Sequence, residues 1–115
     1  MPSVPFSASV RLEDNATVID LAGDIDRSAA PGLDQAYGEA SEGPGRLILN
    51  FSDVEYINST GIAVIVGVLA KARSARREVA GFGLSSHYRE IFSITRLSDF
   101  MGIYDDEGAA LAAAS

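Results

Sequence analysis

Length, composition and charge limit what this chain can be. Its 115 residues match one ordinary domain with a single core, and 47% hydrophobic with 22% charged residues is a globular composition. Sixteen acidic against nine basic side chains give a formal charge of −7, which disfavours nucleic acid and anionic lipid surfaces. Because the chain has no cysteine and one histidine, it lacks the side chains that form the usual metal and thiolate sites.

No segment reads as a membrane span or an export signal. The longest uncharged run, Tyr56 to Ala70, contains polar residues and is shorter than the roughly 20 apolar residues of a span. The N-terminus lacks the basic region and long apolar stretch of a secretory signal. We therefore expect a cytoplasmic protein that binds neither nucleic acid nor membranes and carries no metal or cofactor.

The first third of the chain predicts a hairpin and a helix. Alternating apolar residues from Phe6 to Leu12 predict one strand, and the β-branched run Thr17–Ala22 predicts its partner. Ser28 is a plausible cap for a helix that ends before Gly43.

The rest of the chain alternates strands and helices. The apolar run Leu47–Phe51 predicts a central strand covered on both faces, and residues 60–77 predict the longest helix. Further elements are strands at 79–84 and 101–104, a helix at 87–94 and an Ala-rich final helix capped by Asp105. The order β-β-α-β-α-β-α-β-α predicts one α/β domain over residues 1–115, with a mixed, mostly parallel sheet of about five strands packed by about four helices.

The junction between the central strand and the longest helix is the most informative segment. Asn58, Ser59 and Thr60 stand where side chains commonly cap free backbone N–H groups. The first turn contains no acid, so the positive end of the helix dipole is not neutralised, and Gly61 would let an anion approach the backbone. Either Asn58 or Ser59 is simply the N-cap, or Ser59 accepts a phosphate at a switch.

Neighbouring acids determine what such a phosphate would do. Asp24 and Asp26 follow the second strand, and Asp53 and Glu55 precede the junction. If these loops converge on Ser59, a phosphate of about −1.5 to −2 charges would repel an acidic partner or expose a new face to a basic one.

Two valines of the longest helix are candidate contact residues. A helical projection places four apolar residues on one stripe: Ile62, Ile65, Val66 and Leu69. Val64 and Val68 fall away from its centre. Either they face outward beside Ser59 as a docking surface, or the helix is buried over a wide arc.

Signs of an enzyme are weak, and we predict no catalytic residue. His87 has no evident orienting carboxylate, and Ser59 is not in a G-x-S-x-G elbow. Residues 81–83 lack the third glycine of a dinucleotide fingerprint. The pairs Asp24/Asp26 and Asp105/Asp106 could hold a hard cation, but loop solvation and helix capping also explain them.

Three motifs follow one another along the chain: Leu21–Asp26, Leu49–Gly61, and Ile94–Phe100 followed by Ile103–Asp105. Together they resemble the STAS domain of bacterial anti-sigma factor antagonists. The resemblance covers essentially the whole chain and implies a STAS-like sandwich of a mixed sheet and four helices.

The resemblance also implies a function. Such a protein binds an ATP-dependent anti-sigma serine kinase while unphosphorylated and thereby frees a sigma factor. Phosphorylation at the helix start, here Ser59 with Thr60 as second choice, breaks the complex, and a PP2C-type phosphatase reverses it. We expect a monomer or weak dimer when free. The predicted partner-binding residues are Asp24, Asp26, Asn58, Ser59, Thr60, Gly61, Val64 and Val68.

Two positions depart from the family's motif. Asn50 and Asn58 stand where Asp is common; an amide can form turn and cap hydrogen bonds but cannot ionise, which weakens a role as a charge or metal ligand. The alternative function is a STAS scaffold subunit in a larger signalling or transport assembly, with Val64 and Val68 in permanent contacts.

Overall fold

The structure, a computed structural model, describes residues 4–113. Its elements are β1 (Ser7–Leu12), β2 (Ala16–Ile25), α1 (Ala30–Ala40), β3 (Arg46–Ile57), α2 (Ser59–Ser74), β4 (Val79–Phe82), α3 (Ser86–Ile94), β5 (Gly102–Tyr104) and α4 (Glu107–Ala113). Short 3-10 turns at Arg27–Ala29 and Leu97–Asp99 precede α1 and β5. This confirms the predicted element order.

The five strands form one sheet in the order β1-β2-β3-β4-β5. β1 and β2 are antiparallel, and the other three pairings are parallel. The predicted mixed, mostly parallel sheet is therefore confirmed. Ile25 at the end of β2 pairs with Ile57 at the end of β3, so the loops that follow these strands leave the sheet side by side.

Hydrophobic residues cover both faces of the sheet, because successive side chains of a strand point to opposite sides. Leu47, Leu49 and Phe51 of β3 belong to the larger core, together with buried residues of α1, α2 and α3. Ile48 belongs to a smaller cluster with Ala110 of α4 on the other face. This double burial explains the continuous apolar run of β3.

Two predicted helix caps are wrong. Ser28 does not cap α1: its backbone N–H donates to Asp26 Oδ1 (2.9 Å), and α1 begins at Ala30. Asp106 rather than Asp105 accepts from the first turn of α4, through the N–H of Ala109 (2.8 Å), while Asp105 pairs with Arg89 (2.7 Å).

The longest helix ends at Ser74, three residues earlier than predicted. Arg76 is left-handed, with φ of 59°, so the backbone turns away from the helix axis there. Arg77 then donates hydrogen bonds to the carbonyls of Ala40 (2.6 Å) and Gly43 (3.1 Å), in the loop after α1. These long-range contacts end the helix and are invisible in the local sequence pattern.

Candidate functional site

The candidate site is the N-terminus of α2, beside the end of β2. Asn58 has an extended backbone and is the N-cap. Its Oδ1 accepts from the N–H of Gly61 (2.8 Å), and its carbonyl accepts from the N–H of Ile62 (2.9 Å). The capping interpretation is therefore confirmed for Asn58, and Ser59 is the first residue of the helix.

The two hydroxyls after the cap differ in their hydrogen bonds. Both side chains are exposed. Thr60 Oγ1 donates to Asn58 Oδ1 (2.8 Å), whereas the Ser59 hydroxyl has no hydrogen-bond partner among residues 4–113. No described side chain is therefore placed to act as a general base on Ser59, and its oxygen is the more available acceptor of the two.

The backbone around Ser59 carries free donors. The N–H groups of Ser59 and Thr60 have no partner among the described residues, because the cap satisfies only Gly61 and the first helical bond only Ile62. The first turn of α2 contains no acidic residue. No acid of the first turn thus neutralises the positive end of the dipole, as predicted, next to the free hydroxyl.

Gly61 is buried against β2, and this overturns part of the prediction. A Cβ at this position would lie 1.9 Å from the carbonyl oxygen of Ile25, so glycine is what allows the helix start to touch the strand end. Its N–H is already used by Asn58. The expectation that Gly61 opens the backbone to an anion is wrong, because this residue faces inward. Its place among the partner-binding residues stays a prediction.

Asp26 converges on the helix start. An open cleft of about 630 Å³ is lined by Asp26, Arg27, Ser28, Pro31, Asn58 and Thr60. The side chain of Asp26 accepts hydrogen bonds from Ser28 Oγ (2.5 Å) and Ser28 N–H (2.9 Å), which lower the pKa of its carboxyl below the ordinary value. Asp26 is thus ionised at neutral pH and shares this cleft with Asn58 and Thr60, the two chain neighbours of Ser59. The Asp-x-Ser spacing was the sequence signal for this turn.

The other predicted acids lie outside this cleft. Asp24 accepts a hydrogen bond from the backbone N–H of Val4 (3.1 Å) and pairs along the sheet with Tyr56. Asp53 and Glu55 are exposed on β3. The predicted convergence of loops therefore holds for Asp26 and not for the whole acidic set.

The predicted outward face of α2 is wrong. Val68 is only 1% exposed, and Val64 is half-buried and packs against the larger core. The apolar residue exposed instead is Val66, at 45%. The projection failed because α2 is apolar nearly all round, so hydrophobicity alone does not identify its buried stripe. That stripe consists of Gly61, Ile65, Val68, Leu69 and Ala72.

His87, the single histidine, is exposed near the start of α3, with its ring 5.0 Å from that of Tyr88. Within residues 4–113, no three His, Cys, Asp or Glu side chains are grouped so that they could ligate a metal ion. In the same part of the chain, no helix has both the length and the apolar character needed to cross a membrane.

Comparison with known proteins identifies the family. The sequence profile described as Mlab, STAS domain, matches residues 8–103. The chain belongs to the STAS domain family. An anti-sigma-B factor antagonist of Listeria monocytogenes is 35% identical over 78% of this chain and 80% of its own length. The protein of the same name from Bacillus subtilis is 29% identical over 85% and 90%.

Solved structures show the same fold. This STAS domain matches a Mycobacterium paratuberculosis anti-sigma factor antagonist with a TM-score of 0.80 at 23% identity, over 96% of this chain and 94% of that one. The phosphorylated form of the Bacillus cell fate determinant SpoIIAA matches at 0.68 and 19%, over 95% and 99%. A sulfate transporter family protein of Wolinella succinogenes matches at 0.77 and 18%, over 90% and 88%.

Asn50, one of the two departures in this STAS domain, lies in a polar cluster on the sheet rather than at the helix start. Its Nδ2 donates to Asp20 Oδ1 (2.8 Å) on the neighbouring strand, and its Oδ1 accepts from the N–H of Ser52 (2.9 Å). Arg11 also contacts Asp20 (2.6 Å) and, with Asn50, lowers the pKa of that carboxyl. An amide supplies the donor that an aspartate could not.

Exchanging the two asparagines for Asp should have opposite effects. Asn50→Asp replaces a donor with a second carboxylate beside Asp20, so we expect the free energy of unfolding to fall by about 1–2 kcal/mol at neutral pH. The same change at Asn58 should be neutral or stabilise by up to about 1 kcal/mol, because the side chain of Asn58 only accepts hydrogen bonds and lies at a helix N-terminus.

The pH dependence checks the cause of the Asn50→Asp effect. Repulsion raises the folded-state pKa of one carboxyl above its unfolded value, so the destabilisation is full at neutral pH and fades as the pH falls through that raised pKa. Urea unfolding of wild type and both variants at about pH 7 and about pH 4.5 measures it. An Asn50→Asp protein as stable as wild type at neutral pH would contradict this role of the amide.

Proposed function

We propose that this STAS domain is an anti-sigma factor antagonist whose binding to an anti-sigma serine kinase is switched off by phosphorylation of Ser59. The relatives from Listeria monocytogenes and Bacillus subtilis carry the name of anti-sigma-B factor antagonist. The observation that carries the proposal is the exposed, unbonded hydroxyl of Ser59 at the uncompensated N-terminus of α2. The unphosphorylated protein holds the kinase and so frees a sigma factor.

A phosphate fits this position without disturbing the fold. The free N–H groups of Ser59 and Thr60 and the positive end of the α2 dipole favour an anion there. Thr60 is the weaker acceptor because its hydroxyl supports the cap through Asn58. The modification therefore acts by changing the surface rather than by melting the helix.

The charge change explains why binding is lost. The phosphate adds about −1.5 to −2 charges between Asn58 and Thr60, two residues that line one cleft with the ionised carboxylate of Asp26. A kinase surface that accepts the neutral hydroxyl then meets a concentrated negative charge, and like charges placed together at an interface are strongly disfavoured. Removal of the phosphate by a PP2C-type phosphatase restores the original surface.

The proposed contact surface consists of exposed and half-buried residues around the cleft. It contains Asp26, Asn58, Ser59 and Thr60, with Asp24 at its border. Gly61 and Val68 support this surface from below, since both are buried. The protein acts in the cytoplasm, as a monomer or weak dimer when free.

Phosphate mapping tests the proposal. After incubation with ATP and the anti-sigma kinase of its own genome, mass spectrometry should find one phosphate, on Ser59. Thr60→Ala should leave the modification in place and Ser59→Ala should abolish it. A phosphate on any other residue than Ser59 or Thr60 would contradict the proposal.

The scaffold alternative has lost its structural basis. The scaffold alternative assigned permanent partner contacts to Val64 and Val68. Val68 is buried within the domain, so these two valines do not form an exposed contact surface. The likeness to the Wolinella succinogenes protein, at 18% identity, concerns the fold alone. What α2 does expose is Val66, which borders a separate groove.

A further inference from the structure

A second surface lies on the C-terminal half of α2. A groove of about 370 Å³ runs between α2 and the segment that follows α3, and is lined by Val66, Leu69, Ala70, Arg73, Thr95, Leu97 and Phe100. Its two walls expose large apolar side chains, since Val66 is 45% and Phe100 50% accessible. Apolar side chains on facing walls of an open groove are typical of a docking surface.

The groove is basic within an acidic protein. Arg73 is the single charged residue among those that line it in the described chain. The guanidinium carbon of Arg73 lies 5.1 Å from the centre of the Phe100 ring, and this guanidinium forms no hydrogen bond or ion pair with residues 4–113. Stacking occupies the face of a guanidinium and leaves its N–H edges able to bind a carboxylate.

The neighbouring ion pair does not satisfy Arg73. Asp99 directly precedes Phe100 in the chain but binds Arg96 (2.8 Å). The rim therefore keeps one uncompensated positive charge beside apolar walls, against a formal charge of −7 for the whole chain. Its complement is an apolar surface that carries a negative charge at one edge.

We propose that this groove binds an amphipathic helix of a partner protein, with the apolar face against Val66 and Phe100 and a flanking Glu or Asp on Arg73. A helix fits better than an extended strand because the groove is bounded by side chains of helical segments and offers no sheet edge for backbone pairing. The spacing of apolar residues along one face of a helix matches such a groove.

The groove and Ser59 lie on one side of α2 but are electrostatically separate. Ser59, Val66 and Arg73 are spaced by seven residues, so Arg73 is roughly 20 Å along the helix from Ser59. This distance exceeds the Debye length of about 8 Å at physiological salt. Docking in the groove is therefore expected to be independent of the phosphorylation state of Ser59.

A designed peptide pair tests the proposal. The probe is a synthetic amphipathic helix of about 15 residues with Leu along one face and Glu at the flanking positions, and its control carries Lys in place of Glu. Binding is measured by fluorescence anisotropy and located by backbone amide chemical shifts in the whole chain. We expect the Glu peptide to bind at least about tenfold more tightly than the Lys peptide.

Variants assign the binding to the groove. Val66→Asp and Phe100→Ala should each weaken the Glu peptide by about tenfold, while Arg73→Glu should reverse the preference between the peptides. Ile94→Ala is the matched control, because Ile94 is 71% exposed and does not line the groove. Ser59→Asp should leave peptide binding unchanged, which separates this test from that of the phosphoswitch.

Several outcomes would overturn the proposal. These are no binding of the Glu peptide, equal affinity for the Glu and Lys peptides, amide chemical-shift changes away from the groove, or a loss of peptide affinity in Ser59→Asp. Self-association of the free chain that Val66→Asp abolishes would assign the groove to a second copy instead of a partner helix.

Discussion

Ser59→Asp should weaken binding to the anti-sigma kinase by about 100-fold or more, whereas Ser59→Ala should bind as well as wild type and stay bound in the presence of ATP. The Asp variant places a permanent charge where the structure has a free hydroxyl, between Asn58 and Thr60, which line one cleft with the ionised Asp26. The Ala variant removes the acceptor while leaving the cap at Asn58 untouched. Calorimetric titration of the purified kinase with each variant measures both effects.

Ser86→Asp provides the matched control. Ser86 is exposed and is the first residue of α3, as Ser59 is of α2, with Ser85 as its N-cap. The substitution adds the same charge at the same helix position away from the cleft, so kinase binding should not change. If Ser86→Asp and Ser59→Asp weaken kinase binding equally, the effect comes from total charge. If Ser59→Asp binds the kinase as tightly as wild type, Ser59 is not the switch residue.

Gly61→Ala should lower the free energy of unfolding by about 3 kcal/mol, a large effect for one methyl group. The added Cβ would stand 1.9 Å from the carbonyl oxygen and 2.6 Å from the carbonyl carbon of Ile25. Both atoms are backbone, so only a movement of α2 away from β2 relieves the overlap. That movement also separates Ser59 from Asp26, and kinase binding should fall with stability.

Gly67→Ala, in the same helix, should have the opposite sign. No atom lies within 4 Å of a Cβ built there, so the exchange gains helix propensity without a clash and should stabilise by about 0.5–1 kcal/mol. Urea unfolding of both variants gives the comparison. If Gly61→Ala and Gly67→Ala changed the free energy of unfolding in the same direction, the close approach of α2 to β2 at Gly61 would be contradicted.

Much of the fold follows from local sequence. The apolar run of β3 identified a strand covered on both faces because its backbone pattern requires burial on each side. The alternation of strands and helices then defined a mostly parallel sheet. At the site, the sequence predicted a cap at Asn58 or Ser59 and the absence of acids in the first turn of α2, because capping depends on residues only three apart. It did not decide between the two cap residues.

Features that depend on tertiary contacts were not readable. The buried face of α2 was misassigned because nearly every face of this helix is apolar, and the choice between Val66 and Val68 rests on which side can approach the sheet closely. The sequence indicated that Gly61 would let an anion approach the backbone, yet its missing Cβ allows the contact with Ile25. The groove at Val66 and Phe100 joins segments far apart in the chain, so no local pattern marks it.

The phosphoswitch at Ser59 is tested most directly by titrating the kinase with this STAS domain in three states: unmodified, phosphorylated by that kinase, and dephosphorylated by a PP2C-type phosphatase. We expect the unmodified protein to bind the kinase tightly, the phosphorylated protein to bind about 100-fold or more weakly, and the dephosphorylated protein to regain the affinity of the unmodified one. A protein phosphorylated on Ser59 that binds the kinase as tightly as the unmodified one would contradict it.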